Sequence, residues 1–385
     1  MLTWRHAFVL GTLLLALPLM AQITERVSSG GRIVKEVAEP PVPSDPLELV
    51  GGNAQPVQDV EQRAAIIDLL VNAHRHSNVR AQPYDLKTIF TVSGSLSSGT
   101  WQEEDASPSS GHYRWTVQSP SYSAVNMTVN RIFYSSQPVA ALPLRLIQFR
   151  EAIFYSEPVV GPHATLRTAS GTLNGVDLVC ALVARDATAA AGTGGRLWEE
   201  EEYCVDPKAG VLVTYSQAPG SYVVYDYSKA LQFHGKSIAN GFTITQAGQN
   251  VIEAQTESLA DPVNNPAEFQ TAGLNQIGVG PAMSRAWRYQ VNLPLPGTAP
   301  GAASPNAASQ VVMLHGMQAP SGELSDVELL ASSDASLNEP SLAYASKWSG
   351  GILGQEPETG ATPQSHEVLM MIEYSNAPQP ALPPR

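Results

Sequence analysis

Cysteine is nearly missing from this chain: 385 residues hold two, Cys180 and Cys204. They allow a single bridge, and their spacing is nothing like the Cys-x-x-Cys of a redox pair. Charge is also scarce, at 15% of residues, and what there is leans acidic, with a net charge of -13. That balance argues against nucleic acid and anionic membrane surfaces as partners. Eight histidines are scattered. Only His74 and His76 are close, and two residues apart on a helix they point in different directions, so a solvated helix end is expected rather than a metal site. Neither a Gly-x-Ser-x-Gly elbow nor a His-Glu-x-x-His motif occurs, and Gly192, Gly194 and Gly195 lie in no strand-to-helix phosphate context. The sequence therefore offers no catalytic, cofactor-binding or metal-ligating residues, and the reading is of a chain that is not an enzyme.

Long apolar runs are missing too, apart from one at residues 7–19. Arg5 and His6 precede it and Ala21 follows, the pattern of a secretory signal cleaved after residue 21. The run is short for a bilayer span; the competing reading is an uncleaved anchor in the inner membrane. Export to the periplasm or beyond is expected, and an oxidising compartment suits a Cys180–Cys204 disulfide.

What the chain does have is punctuation. Thirty glycines and thirty prolines divide it into short segments. Residues 22–56 read as an extended leader. Val57, Val60, Ala64, Ile67, Leu70 and Val71 recur at helical spacing, predicting a helix over residues 57–76. From Asp85 the period becomes two, and Tyr113, Trp115 and Val117 alternate cleanly with polar neighbours. Consecutive short strands joined by turns favour an antiparallel sheet. Pro143 opens an inserted helix with Leu142, Leu146, Phe149 and Ile153 on one stripe, and the concave face of a curved sheet is the natural place to bury it. Strands then resume, the densest at residues 176–227. The four acidic residues Glu199, Glu200, Glu201 and Glu202 read as a solvated edge strand, and the loop 185–196 as free. Residues 294–309 have linker composition. Residues 310–376 read as a small β-β-α-β unit, and residues 377–385 as a disordered tail. The fold class is α+β: a curved antiparallel half-barrel with packed helices over residues 57–293, plus the small C-terminal domain.

Two resemblances follow. The leading helix, the Val205-Asp206-Pro207-Lys208-Ala209-Gly210 turn and the late hairpin ending at Leu259-Ala260-Asp261-Pro262 resemble the periplasmic lipoprotein carriers of the LolA/LolB type. That resemblance implies an incomplete barrel holding a lipid, acyl chain or other apolar small molecule against its concave face. The candidate lining positions are Phe90, Tyr113, Trp115, Leu146, Phe149 and Ile153, residue types that are more often plain core. The second lies at residues 311–374, where Ala319-Pro320-Ser321-Gly322-Glu323-Leu324 between strands and Leu342-Ala343-Tyr344-Ala345-Ser346-Lys347-Trp348 resemble the TonB C-terminal domain. It implies a sheet edge able to take a strand from an envelope protein.

Overall fold

The computed structural model describes residues 24–27, 33–36, 54–80, 82–109, 111–137, 142–161, 164–184, 196, 200–263, 265–278, 286–296, 310–349 and 365–375. The proposed signal segment, most of the 185–196 loop, most of the linker and the tail lie outside these residues. The chain forms two units, residues 1–38 and 39–385. In the first, β1 (Thr24–Val27) pairs antiparallel with β2 (Ile33–Glu36).

The second unit begins with β3 (Gln55–Pro56), α1 (Val60–Ser77), β4 (Tyr84–Val92), β5 (Gly99–Ser109), β6 (His112–Gln118), β7 (Ser123–Val129) and β8 (Ile132–Ser135). Next come α2 (Leu144–Arg150), which continues into a π-helical turn at Glu151–Tyr155, then β9 (Thr165–Leu173), β10 (Val176–Ala184), β11 (Glu201–Asp206), β12 (Val211–Ala218) and β13 (Ser221–Asp226). A small hairpin, β14 (Leu231–Phe233) and β15 (Lys236–Ile238), precedes β16 (Gly241–Gln246), β17 (Gln249–Ala260) and β18 (Asn275–Gly278). The C-terminal part holds β19 (Trp287–Pro294), β20 (Gln310–Gln318), β21 (Leu324–Ser332), α3 (Asn338–Ala345) and β22 (His366–Ser375).

Among the described residues, fourteen strands make one open antiparallel sheet in the order β18-β8-β7-β6-β5-β4-β17-β16-β13-β12-β11-β10-β9-β3. The chain builds one half outward from β4, crosses by way of α2, and returns from β9 to β17, which pairs with β4 to join the halves. Side chains from strands far apart in that order, such as Trp115 and Val183, meet in one core around α1 and α2. The sheet is therefore curved, with the helices across its concave face, the architecture expected from the sequence.

Asp59 caps α1, accepting from the Gln62 N–H at 2.7 Å. The buried stripe of α1 is Ile66, Leu70 and Ala73. That is one position round from the expected face, and Val60 is left 78% exposed. His74 corrects the expectation of a solvated helix end: it is buried, and burial lowers its pKa to about 4. Lys236 from the small hairpin closes over this end, donating to the carbonyls of Asn78 and Arg80 at 2.6 and 2.7 Å.

The C-terminal sheet has the order β19-β22-β20-β21. The expected β-β-α-β order is present as β20, β21, α3 and β22, and β19 joins it from before the linker as a parallel partner of β22. Alternation explains its apolar runs. Val312, Leu314, Met370 and Ile372 pack under α3, while Val311, Met313, Leu369 and Met371 lie on the other face with Ala218 of β12. A strand buried on both faces reads as a continuous apolar run, and β20 and β22 are both of this kind. At the β21 edge, Gly220 approaches so closely that a Cβ there would lie 2.4 Å from the Leu330 carbonyl oxygen.

Candidate functional site

The segment Leu144–Tyr155 is where the two sheets meet. Residues Leu144 to Ala152 are all buried, as is Phe154. Its apolar side packs on the large sheet: the Phe149 ring lies 4.0 Å from that of Phe90 and 5.6 Å from that of Phe242. Phe90 in turn stacks on Trp101 at 5.6 Å. Of the six candidate lining residues, Phe90, Trp115, Leu146 and Phe149 are buried in this shared core, and Ile153 is half-buried against it. Tyr113 differs, because it also lines a cleft.

That cleft, of about 450 Å³, opens at one end of the sheet between β4, β5, β6 and the π turn. Its aromatic walls are Tyr84, Tyr113, Phe154 and Tyr155, with Arg80 and His112 beside them. The Arg80 guanidinium sits 4.8 Å from the centre of the Tyr155 ring. Behind the cleft lies a buried ionic cluster that no motif announces. Arg150 donates to Glu103, to Asp105 Oδ2 at 2.9 Å and to the Tyr113 hydroxyl, which itself donates to Asp105. The Arg150 guanidinium also lies 4.1 Å from the Trp115 ring centre and 5.0 Å from that of Phe154, within reach of cation–π attraction. Burial raises the pKa of Asp105 well above the usual carboxylate range. It lowers that of Arg150 to about 10, so the guanidinium stays charged at neutral pH. The sequence signal for this cluster was the alternation in β5: Glu103 and Asp105 face inward, while Glu104 pairs with Lys87 outside.

The other side of the helix is polar. Arg145, Gln148 and Glu151 recur every three residues and face the C-terminal sheet. Arg145 pairs with Glu328 of β21 and donates to Gln148 Oε1 at 2.8 Å and Gln246 Oε1 at 2.6 Å. Gln148 Nε2 lies 3.5 Å from His315 Nδ1, and His315 Nε2 lies 2.5 Å from Glu367 Oε1. Glu151 accepts from the Tyr215 hydroxyl at 2.9 Å. Met317 of β20 joins the core of the large sheet, so the contact is apolar as well as polar.

On the opposite face of the large sheet, the disulfide is formed as expected. Cys180 and Cys204 are directly opposed on β10 and β11, with Cα atoms 4.0 Å apart. The glutamate run is corrected here. Glu200, Glu201 and Glu202 are buried rather than solvated, and β11 lies inside the sheet, not at its edge. Arg167 holds Glu200 with two hydrogen bonds of 2.7 Å, and Tyr203 donates to Glu201 at 2.7 Å. Arg196, the end of the loop expected to be free, is buried and bonded to Ser216 and to the Glu200 carbonyl. Alternation sends the carboxylates to two faces, as expected; Arg167, from a neighbouring part of the sheet, covers Glu200, and Tyr203 of the same strand covers Glu201. Glu202 also lies close to Cys180 and Cys204, but sulfurs joined in a disulfide offer no thiolate to a metal.

A second cleft, about 550 Å³, lies beside the last turn of α1. It is lined by Arg75, His76, Lys208 and Lys236, with the apolar Leu69 and Ala73. Among the described residues, no helix is long and apolar enough to cross a membrane.

No family model matches the chain, and no curated protein does. Among solved structures it is similar to a LolA superfamily protein from Nitrosomonas europaea, with 9% identity and a TM-score of 0.36 over 53% of this chain and 96% of that one. It is similar to a putative outer membrane lipoprotein-sorting protein domain from Vibrio parahaemolyticus, with 10% identity and a TM-score of 0.33 over 53% and 95%. LprF from Mycobacterium bovis matches with 11% identity and a TM-score of 0.23 over 55% and 99%. Overlaps at these scores carry no argument; the fold rests on its own strand order and register.

Proposed function

We propose that this chain is an exported, non-catalytic binding protein that takes up an apolar or amphipathic molecule, such as a lipid or acyl chain, at the concave side of its large sheet. The observation that carries this reading is the cleft at Tyr84, Tyr113, Phe154 and Tyr155. Aromatic walls favour an apolar chain, and polar groups placed at such a site fix its orientation. The Arg80 guanidinium gives an anionic head group a partner at the mouth. The cleft leads toward the helix Leu144–Tyr155, whose apolar side fills the sheet interior, so a longer chain enters only as that helix gives way. A disulfide and a signal-like N-terminus support export.

The test is native mass spectrometry of the exported protein with solvent extraction, alongside titration with a fluorescent fatty acid. A co-purifying lipid, or saturable binding that Arg80→Glu weakens for the fatty acid more than for its neutral alcohol, supports the reading. No co-purifying lipid together with no saturable binding overturns it.

A further inference from the structure

The hydrogen bonds between the helix and the C-terminal sheet have a direction, and that direction locates a proton. Arg145 has only donors, so the Gln148 atom it meets at 2.8 Å is the amide oxygen. The Gln148 amide nitrogen is thereby turned toward His315 Nδ1, which must accept and carries no hydrogen. His315 is then neutral, with its hydrogen on Nε2, donating to Glu367 Oε1 at 2.5 Å. The other oxygen, Glu367 Oε2, is buried and has no hydrogen-bond donor among the described residues. It shares a void of about 20 Å³ with Glu151, whose Oε1 is taken up by Tyr215. A buried carboxylate oxygen beside a second carboxyl group is costly unless one of the two holds a proton.

We propose that docking of the C-terminal sheet relocates one proton from His315 to Glu367, so that both side chains are buried neutral and docking stays constant through the acid range. In water, at a pH between the two groups' ordinary values, the histidine is protonated and the glutamate ionised. In the docked seam the histidine gives its proton to solvent, and Glu367 Oε2 takes one from solvent and points it toward Glu151. No proton is gained or lost overall. Burial acts on the two groups in opposite senses, lowering His315 from 6.5 to about 4 and raising Glu367 from 4.5 to about 7 against the smaller, lowering effect of a hydrogen bond with Glu151. The charged groups facing the pair are Arg145 and Glu151 on the helix segment and Glu328 on β21, with Asp326 near Arg145 and Tyr215 contributed by β12.

The signs follow from proton counts. For Glu367 alone the folded value is raised, so its contribution is full below 4.5 and is lost as pH rises through about 7. For His315 alone the folded value is lowered, so its contribution is full above 6.5 and is lost as pH falls through about 4. Between 4.5 and 6.5 docked and undocked states each hold one proton on the pair, and the two slopes cancel. Across 6.5 to about 7 only half a unit remains, roughly a threefold change. This inference does not depend on whether the cleft binds lipid.

Hydrogen–deuterium exchange of residues 144–155 in the full chain, corrected for intrinsic rates, reads the opening equilibrium. Wild-type protection is expected to vary by roughly threefold or less from pH 4.5 to 6.5. In Glu367→Gln it rises with pH over that range, and in His315→Asn it falls, each by about tenfold or more. A wild-type change above tenfold, or single variants with the same slope, overturns the proposal. Should a variant fail to fold, infrared difference spectroscopy on the wild type with 13C-labelled glutamate side chains decides: a label-shifted buried carboxylic-acid C=O band at pH 6, distinct from the unshifted band of Asp105, supports the proposal, and its absence overturns it.

Discussion

Replacing Arg150 by methionine removes the guanidinium from between Glu103 and Asp105 and leaves most of the side-chain volume in place. In the native chain the Arg150, Glu103 and Asp105 side chains are each only 2% exposed, so water does not screen what remains. Two carboxyl groups then face one another in the sheet interior, with Tyr113 bonded to Asp105. Breaking a buried ion pair by deleting one partner costs about 3–5 kcal/mol, and the lost cation–π contact with Trp115 adds about 1 kcal/mol. Proton uptake limits the damage, because a carboxyl group whose folded pKa is raised is stabilised as pH falls. The loss is therefore larger at pH 8 than at pH 5. Urea unfolding followed by the fluorescence of the buried Trp101 and Trp115 measures it. The control is R150M with E103Q and D105N, which removes the stranded charges and recovers most of the loss. A single-variant loss below about 1 kcal/mol at pH 8, or a triple variant no more stable than R150M, would falsify the assignment of this cluster as a charge-balanced anchor for the helix.

Three further outcomes follow from packing and covalent constraint. Cys180→Ala with Cys204→Ala opens a loop of sequence separation 24; the chain-entropy relation gives a loss of about 3.5 kcal/mol, to be read from the urea midpoint under non-reducing conditions. Phe149→Ala empties the space between the rings of Phe90 and Phe242 and costs about 3–5 kcal/mol in the same assay; a cost under about 1 kcal/mol means the core collapses onto the gap. Gly220→Ala places a methyl group 2.4 Å from the Leu330 carbonyl oxygen at a residue whose φ is +82°. It is expected to raise hydrogen exchange in β21 before β10, because the clash falls at the contact between the sheets.

Much of the fold is legible in the sequence because its signals are local. The period of two in β4 and β6, the turn at Asp206–Gly210, and the proline that opens α2 each rest on neighbouring residues. Cys180 and Cys204 are legible for another reason: with two cysteines only one pairing exists. The errors fall where partners are distant. Glu200 looks solvated until Arg167 of β9 is placed against it, and β19 looks like part of the first domain until β22 pairs with it from more than seventy positions on. His74 looks solvated until the hairpin bearing Lys236 closes over it. The candidate cleft was half legible. Tyr113 stands out in its alternating strand, but Arg80, Tyr84, Phe154 and Tyr155 come from three separate segments. The seam has a signal of its own: Arg145, Gln148 and Glu151 repeat every three residues along a helix rich in apolar side chains, His315 interrupts the apolar run of β20, and Glu367 directly precedes that of β22.

The division of chemistry around Leu144–Tyr155 suggests which contact is built to part. Its apolar side, with Leu146 and Phe149, packs on the aromatic and aliphatic core of the large sheet, and exposing it costs in proportion to its area. Its other side presents Arg145, Gln148 and Glu151, groups that water can satisfy as fully as Glu328 and His315 do, and opening it also bares Met317 and the aliphatic patch on Ala218, but no aromatic ring of the helix. An interface whose polar groups recover their hydrogen bonds on separation opens at lower cost than one that bares an aromatic core. If the seam opens first, the helix loses the cover of the C-terminal sheet while still seated on the large one, and the Phe154 end beside the cleft becomes the next contact to yield. That order makes hydrogen exchange at Arg145 and Gln148 precede exchange at Phe149 when a fatty acid is added. The reverse order, with Phe149 exchanging while the seam stays protected, places ligand entry at the cleft alone.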